Sequence, residues 1–145
     1  MLSLNNRITT LENTSVVAFK AESNVVGTYT FSEGTVAPFN FSSFCVPDAT
    51  KYDTAESSYT VPVEGIYQFT IKMHSDVATS MTADLALYKN GSTLSFVGVS
   101  GSITSVVTDQ CAVGDVYQVK MHSSGSNVQV TMTQGYAHFE GHLII

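Results

Sequence analysis

The chain has 145 residues, of which 43% are hydrophobic and 12% are charged, and its formal net charge is −6 at pH 7. This length suits one domain with a substantial core. The low charge, about half of the usual ~25%, predicts a surface of Ser, Thr, Asn and Gln. Only six residues are Lys or Arg and they form no cluster, so we expect no nucleic-acid partner. No run of about 18 apolar residues occurs, so we expect no membrane insertion.

The first fifteen residues predict a short coiled-coil helix. Met1, Leu4, Ile8 and Leu11 follow one another at spacings of three and four, which is the a/d pattern of two heptads. Two heptads are too short for a stable isolated coiled coil. We therefore interpret residues 1–15 as a trimerisation stub at the end of a stalk, with Leu4, Ile8 and Leu11 as contact residues; an ordinary capping helix is the alternative. The polar N-terminus does not have the pattern of a signal peptide.

From residue 16 onward the sequence is typical of a β-sandwich or barrel. Val, Thr, Tyr, Phe and Ser dominate, and turn signals interrupt them at short intervals. Asn90-Gly91 between two apolar runs is the strongest hairpin signal. The predicted strands cover residues 16–22, 25–31, 35–40, 59–61, 65–75, 82–89, 92–100, 102–111, 116–123, 127–134 and 138–145.

Three of these strands alternate between apolar and polar residues, which defines the face that each turns to the core. Their predicted core residues are Tyr67, Phe69, Ile71, Met73, Tyr117, Val119, Met121, Phe139, Leu143 and Ile145. The two cysteines, Cys45 and Cys111, match no zinc or redox spacing. We expect both to be small buried side chains; a disulfide is the alternative, and it requires Cα atoms within about 7 Å.

Five segments follow one another in a characteristic order. They are Lys51-Tyr52-Asp53, Pro62-Val63-Glu64-Gly65-Ile66-Tyr67-Gln68-Phe69, Lys89-Asn90-Gly91, Gly114-Asp115-Val116-Tyr117 and Phe139-Glu140-Gly141-His142-Leu143. This order resembles the C1q-like globular domain of the tumour-necrosis-factor superfamily. Gly65 and Gly114 fit it because glycine permits a sharp turn into a strand, and Gly141 because it lets a backbone or an aromatic ring approach closely.

The resemblance implies an all-β, ten-stranded jelly roll over residues 16–145 that forms a homotrimer, usually downstream of a coiled-coil or collagen stalk. Residues 1–15 would take the stalk position. The sequence contains no collagen-like Gly-x-y run, which departs from the complement proteins of the family.

The sequence offers no recognisable catalytic pattern. Ser and His are plentiful, but no Ser occupies a Gly-x-Ser-x-Gly elbow, and the acids fall mostly in predicted turns. We predict a non-enzymatic protein with no catalytic, cofactor-binding or metal-binding residues and no cofactor. Some family members hold calcium with loop acids near the trimer axis; that alternative stays open, although no Asp-x-Asp cluster supports it.

Four histidines form a separate hypothesis. His74, His122, His138 and His142 fall on the polar sides of strands that the family places in one sheet, and in the trimer that sheet faces the neighbouring subunits. Imidazole changes charge near pH 6.5, so these histidines suggest a pH-sensitive interface. Adventitious metal binding along the axis and ordinary hydrogen-bonded histidines are the alternatives.

These expectations lead to two candidate functions for a protein that binds itself as a homotrimer. The first is a structural and recognition module, the knob or tip of a virion or phage fibre, which binds a host receptor or glycan. Its contact loops are predicted at residues 76–81, 101–105 and 123–127 because these are small and polar. The second is a secreted C1q-like recognition or signalling protein. The expected location is therefore the virion or the extracellular space.

Overall fold

The computed structural model describes residues 16–23, 27–31, 34–75, 83–98, 101–123, 128–132 and 137–145. Within these ranges the chain forms twelve strands and one 3₁₀ helix, Ala49–Lys51. The strands are β1 (Ala18–Glu22), β2 (Gly27–Phe31), β3 (Phe41–Val46), β4 (Tyr52–Asp53), β5 (Ser58–Thr60), β6 (Gly65–Ser75), β7 (Ala83–Lys89), β8 (Ser92–Gly98), β9 (Gly101–Cys111), β10 (Val116–Ser123), β11 (Val128–Met132) and β12 (His138–Leu143). The predicted stub, with Leu4, Ile8 and Leu11, lies outside the described residues.

Ten of the strands form two five-stranded antiparallel sheets. The first sheet has the order β3-β1-β12-β6-β9, and the second sheet has the order β4-β5-β10-β7-β8. Strands β2 and β11 pair separately as a two-stranded sheet. This arrangement confirms the predicted all-β jelly-roll sandwich.

Aromatic side chains from the two sheets meet in the core. Phe19 of β1 stacks on Tyr59 of β5 with ring centroids 3.9 Å apart, and Phe69 of β6 stacks on Tyr117 of β10 at 4.3 Å. Such pairs add about 0.5–1.5 kcal/mol to the free energy gained by area burial. Burial confirms the predicted inward positions of Tyr67, Phe69, Ile71, Tyr117, Val119 and Phe139. The side chains of Met73 and Met121 lie outside the described part.

The core prediction was wrong at Ile145. The pairing of β12 ends at Leu143, which packs partly buried against the core, and the side chain of Ile145 is 78% exposed. The backbone N–H of Ile66 still donates to the carbonyl oxygen of Ile145 at 2.9 Å. Main-chain bonding therefore continues along β6 after the side-chain alternation has ended.

One strand lies further along the chain than predicted. Residues 35–40 are irregular except for a bridge between Val36 and Lys120, and the strand is instead β3, at residues 41–46. The register of β3 against β1 shifts so that Ser43 has no partner in it, which makes Ser43 a bulge residue. Because the bulge interrupts the two-residue period, alternation alone did not predict β3.

Candidate functional site

The outward side of the first sheet, here called the outer face, is the candidate functional site. Alternate residues of each strand point away from the core, so three rows of paired residues cross this face from β3 to β9. The rows are Phe41, Glu22, His138, Lys72 and Thr104; Phe44, Lys20, Glu140, Thr70 and Val106; and Val46, Ala18, His142, Gln68 and Thr108. Apolar residues lie towards the edges, and charged residues lie in the centre.

The β3 edge of the outer face is apolar. Phe41 is 51% exposed, and Phe44 and Val46 of the same strand are also exposed. Single exposed apolar side chains are normal on a protein surface, but several on one short strand form a patch of the kind that marks an interaction site. The β3 edge is therefore the first of two apolar areas at this site.

The second apolar area lies on the opposite side of the sandwich and is here called the β8–β9 side. Strand β9 is the other edge of the first sheet, and it contacts β8, an edge of the second sheet. Val106 of β9 is 56% exposed, Phe96 of β8 is 57% exposed, and Leu94 of β8 is exposed as well. Val106 points outward from the first sheet, whereas Phe96 pairs with Ala86 on the outward side of the second sheet. The two edge strands thus carry exposed apolar side chains on both faces of this side.

Charges in the centre of the outer face balance one another. Glu22 Oε1 lies 3.5 Å from Lys20 Nζ and 3.5 Å from His138 Nδ1. Glu140 is the register partner of Lys20, and Lys72 is the register partner of His138. Two lysines and two glutamates therefore cancel, and these three rows carry no net charge while the histidines are neutral.

A shallow groove of about 260 Å³ crosses the centre of the outer face. Its lining consists of Ala18, Phe19, Phe44, Gln68, Thr70, Glu140, Gly141 and His142. A Cβ atom on Gly141 would lie 2.7 Å from Phe19 Cε1 and 2.8 Å from Phe69 Cδ1. Glycine therefore lets two rings close beneath β12, as predicted. The groove is smaller than the usual 300–1,000 Å³ of small-molecule sites and suits side chains of a partner.

The structure places two of the four predicted histidines together. His138 and His142 both lie on β12 in the rows of the outer face. His74 belongs to β6 of the same sheet, but its side chain lies outside the described part. His122 belongs to β10 of the second sheet, so the expectation that all four strands share one sheet was wrong. Alternation shows which residues of a strand point inward, but it does not show which sheet the strand joins, because strands of both sheets alternate in the same way.

The predicted contact loops have different outcomes. Residues 101–105 are the beginning of β9, so the prediction of a loop there was wrong. Their Ser and Thr residues are typical of turns, but these residues pair with the end of β6 and therefore extend β9. Residues 76–81 and 124–127 lie outside the described ranges.

A hydrogen-bonded cluster lies at one end of the sandwich, where the β7–β8 turn meets the β9–β10 turn. Asn90 Nδ2 donates to Asp115 Oδ1 at 3.0 Å, and Asn90 Oδ1 accepts from the backbone N–H of Val116 at 2.8 Å. The backbone N–H of Ala112 donates to Asp115 Oδ2 at 2.8 Å. These bonds, first that from Asn90, hold the pKa of Asp115 below its usual value. Two segments that carry the family resemblance thus stabilise the fold.

The same cluster continues into the sandwich through Asp109. Its Oδ2 atom accepts from Lys89 Nζ at 2.9 Å and from Tyr117 OH at 2.6 Å. The bond to Asp109 raises the pKa of Lys89, and burial raises the pKa of Tyr117. Lysine therefore stays charged and tyrosine stays neutral near pH 7, which suits a structural role and disfavours proton transfer.

Both cysteines are buried and unpaired, as we expected. Cys45 lies on β3 and Cys111 on β9, the two edges of the first sheet, so four spacings of about 4.8 Å, or about 19 Å, separate their strands. Burial raises the pKa of both thiols, and Cys111 Sγ lies 3.0 Å from Tyr117 OH. Neither thiol has the lowered pKa of a nucleophile.

Two features are absent from the described ranges. No group of three or more His, Cys, Asp or Glu side chains in them is placed to hold a metal ion. No helix formed by these residues has the length and hydropathy needed to cross a membrane.

Sequence reasoning missed the apolar residues of β3. The segment Phe41-Ser42-Ser43-Phe44-Cys45-Val46 is rich in aromatic and β-forming residues and is bounded by Asn40 and Pro47, which is a strand signal. That composition, read without the requirement for strict alternation, could have located Phe41, Phe44 and Val46.

No protein-family model and no curated protein matches this chain, whereas several solved structures do. The TNF Eiger from S. frugiperda is 13% identical, with a TM-score of 0.70 over 91% of this chain and 94% of that chain. The globular domain of zebrafish complement 1qA is 18% identical, with a TM-score of 0.64 over 89% and 98%. Murine APRIL is 14% identical, with a TM-score of 0.60 over 90% and 98%. The chain therefore has the jelly-roll fold of TNF- and C1q-type globular domains.

Proposed function

We propose that this chain is a non-enzymatic recognition module that assembles as a homotrimer through the outer face. The observation that carries this proposal is the position of its exposed apolar side chains. Phe41, Phe44 and Val46 lie at one edge of the first sheet, and Val106 lies at the other, where β9 contacts β8 with its exposed Leu94 and Phe96. An apolar surface of this kind is best explained by a second protein chain that covers it.

The symmetry of the site favours a closed ring. Two different areas on opposite sides of one protomer can contact each other only head to tail, and such heterologous contacts form a ring when the rotation closes. The resemblance to TNF- and C1q-type domains supports a ring of three. In that ring the β8–β9 side of one copy covers the outer face of the next, and the groove above Gly141 receives its side chains.

Both thiols support a role in binding instead of catalysis. Cys45 and Cys111 are the only cysteines of the chain, and burial raises the pKa of each. The acids Asp109 and Asp115 are engaged by Lys89 and by backbone or amide donors. These groups hold the fold together, which leaves surface recognition as the function that the fold supports best.

The setting that we propose is the knob or tip of a virion or phage fibre that binds a host receptor or glycan. The low charge, the Ser- and Thr-rich sequence and the heptad pattern of residues 1–15 support it, because threefold display on a stalk converts weak single contacts into avidity. A secreted C1q-like recognition or signalling protein is the second candidate, and the fold it shares with TNF and complement domains favours it.

The assembly is tested by mass in solution at micromolar concentration. Wild type should be a trimer, and Phe44→Glu and Val106→Glu should each be monomers because each places a charge in one apolar area. Val113→Glu is the matched control, since Val113 is 66% exposed in the β9–β10 turn and belongs to neither area. A monomeric wild type, or a trimeric Phe44→Glu, would contradict the proposal.

The setting is tested separately by a glycan array and by binding to candidate host cells. The trimer should bind at least about tenfold more strongly than the Phe44→Glu monomer if recognition depends on avidity. Equal binding by monomer and trimer would contradict avidity. A gene neighbourhood of capsid or tail genes favours the fibre tip, whereas a secretion signal in the full-length gene favours the secreted protein.

A further inference from the structure

We propose that protonation of His138 and His142 opens the trimer at acidic pH. The inference rests on the proposed assembly through the outer face, because only there would these histidines be covered by a neighbouring copy. Of the four histidines in the sequence hypothesis, His138 and His142 have side chains described in the rows of that face, and His122 belongs to the other sheet.

His138 lies within a set of charges that is already shared. Its Nδ1 atom is 3.5 Å from Glu22 Oε1, and the same oxygen lies 3.5 Å from Lys20 Nζ. On its other side the register partner of His138 is Lys72 of β6. Protonated His138 would therefore share the carboxylate of Glu22 with Lys20, and Lys72 lies across the row.

His142 lies in the groove of the outer face. Its register partners are Ala18 of β1 and Gln68 of β6, so uncharged side chains flank it across the sheet. The charged neighbour along β12 is Glu140, which faces Lys20 in the next row. A positive charge at His142 would thus enter the part of the face into which the neighbouring copy packs.

The charge balance of the three described rows decides the direction of the effect. In the three rows, β1 supplies Lys20 and Glu22, β6 supplies Lys72 and β12 supplies Glu140, while β3 and β9 supply only uncharged residues. These four charges sum to zero, and protonation of both histidines adds two. Threefold symmetry multiplies that excess to six positive charges around one axis.

Burial by the neighbouring copy makes this excess costly. Charges covered by protein are screened by salt much less than exposed ones, and removing them from water without partners is unfavourable. Because imidazoles gain charge between about pH 8 and pH 5, the associated state should lose stability relative to the separated protomers over this interval. Neutral histidines, in contrast, leave a balanced face that can be covered.

The experiment compares the trimer–monomer equilibrium near pH 7.5 and near pH 5 by sedimentation. For wild type, the protein concentration at half-dissociation should rise at least about tenfold at the lower pH. The double variant His138→Gln/His142→Gln should stay trimeric at both pH values, and each single variant should show part of the effect. His122→Gln, on the second sheet, is the control and should dissociate like wild type. Far-UV circular dichroism near pH 5 checks that the protomers remain folded.

The outcomes separate the two proposals. A monomeric wild type near pH 7.5 would overturn the trimer itself. A wild-type trimer that is unchanged near pH 5 would leave the assembly standing and overturn the switch. Dissociation of the double variant to the same extent as wild type would assign the effect to other titratable groups and would also overturn the switch.

Discussion

The side-chain amide of Asn90 donates a hydrogen bond to the carboxylate of Asp115 at 3.0 Å, across 25 residues of sequence. This bond joins the β7–β8 turn to the β9–β10 turn. Asp115→Asn should lower the free energy of unfolding by about 1–2 kcal/mol near pH 7, because the backbone N–H of Ala112 loses its charged acceptor. Glu64→Gln, an equal loss of charge at an exposed position, is the control and should change little.

The contribution of Asp115 should depend on pH in a defined direction. Its pKa is lower in the folded chain than the usual 3.8, so the stabilisation is present above about pH 4 and is lost as the pH falls through the folded value. Urea unfolding near pH 7, 4 and 2.5 measures it. A difference between wild type and Asp115→Asn that stayed constant down to pH 2.5 would contradict an ionic origin.

Three buried tyrosines offer a comparison of hydroxyl groups. Tyr52 OH donates to the carbonyl oxygen of Phe39 at 2.6 Å, and Tyr67 OH donates to that of Val63 at 2.7 Å. Tyr59 OH is buried and makes no well-formed hydrogen bond in the described part of the chain, although the hydroxyl of Tyr67 interacts with it.

Tyr59→Phe should therefore leave the free energy of unfolding unchanged or raise it slightly, whereas Tyr52→Phe and Tyr67→Phe should each lower it by about 1 kcal/mol. Thermal and denaturant unfolding of the three variants measures the series. A loss at Tyr59 as large as at Tyr67 would show that the Tyr59 hydroxyl has a full hydrogen-bond partner, such as the hydroxyl of Tyr67 or a bound water.

Gly141→Ala should destabilise the chain by about 1–3 kcal/mol, because the added methyl group would overlap Phe19 and Phe69. Thr93→Ala, at an exposed strand position, is the control and should stay within about 0.5 kcal/mol. A second variant, Gly141→Ala with Phe69→Leu, should cost less than the sum of the two single changes, since the smaller side chain makes room. Strict additivity in this cycle would argue against the overlap.

The two thiols should be inert in the native chain. A thiol reagent should label Cys45 and Cys111 slowly under native conditions and rapidly after denaturation, since both are buried with raised pKa values. Addition of a reducing agent should leave the unfolding midpoint unchanged. If reduction lowered the unfolding midpoint, the chain would contain a disulfide bond. That result would contradict the separation of β3 and β9.

Local sequence rules predicted those features that depend on one strand or one turn. The alternation of β6 and β10 located Tyr67, Phe69 and Tyr117 in the core, and Asn90-Gly91 located the β7–β8 turn. The prediction that Gly141 allows a close approach was correct, because a Cβ atom at this position would overlap the rings of Phe19 and Phe69.

Features that depend on which strands become neighbours were beyond such rules. His122 and His138 follow the same alternation, yet they belong to different sheets. The bulge at Ser43 exists only because β3 pairs with β1, and it hid the apolar edge at Phe41 and Phe44. The candidate site is therefore a product of strand order, and sequence patterns indicated only some of its members.

Strand order also sets a condition on synthesis. The last strand, β12, lies between β1 and β6 in the centre of the first sheet, so β1 and β3 can join the rest of that sheet only after residues 138–143 have left the ribosome. Contacts between such distant segments make folding slow, and an incomplete nascent chain would expose two unpaired strand edges in the meantime. We expect chains that stall before β12 to be substrates for chaperones or proteases, which makes translation through the final strand the step that commits this domain to its fold.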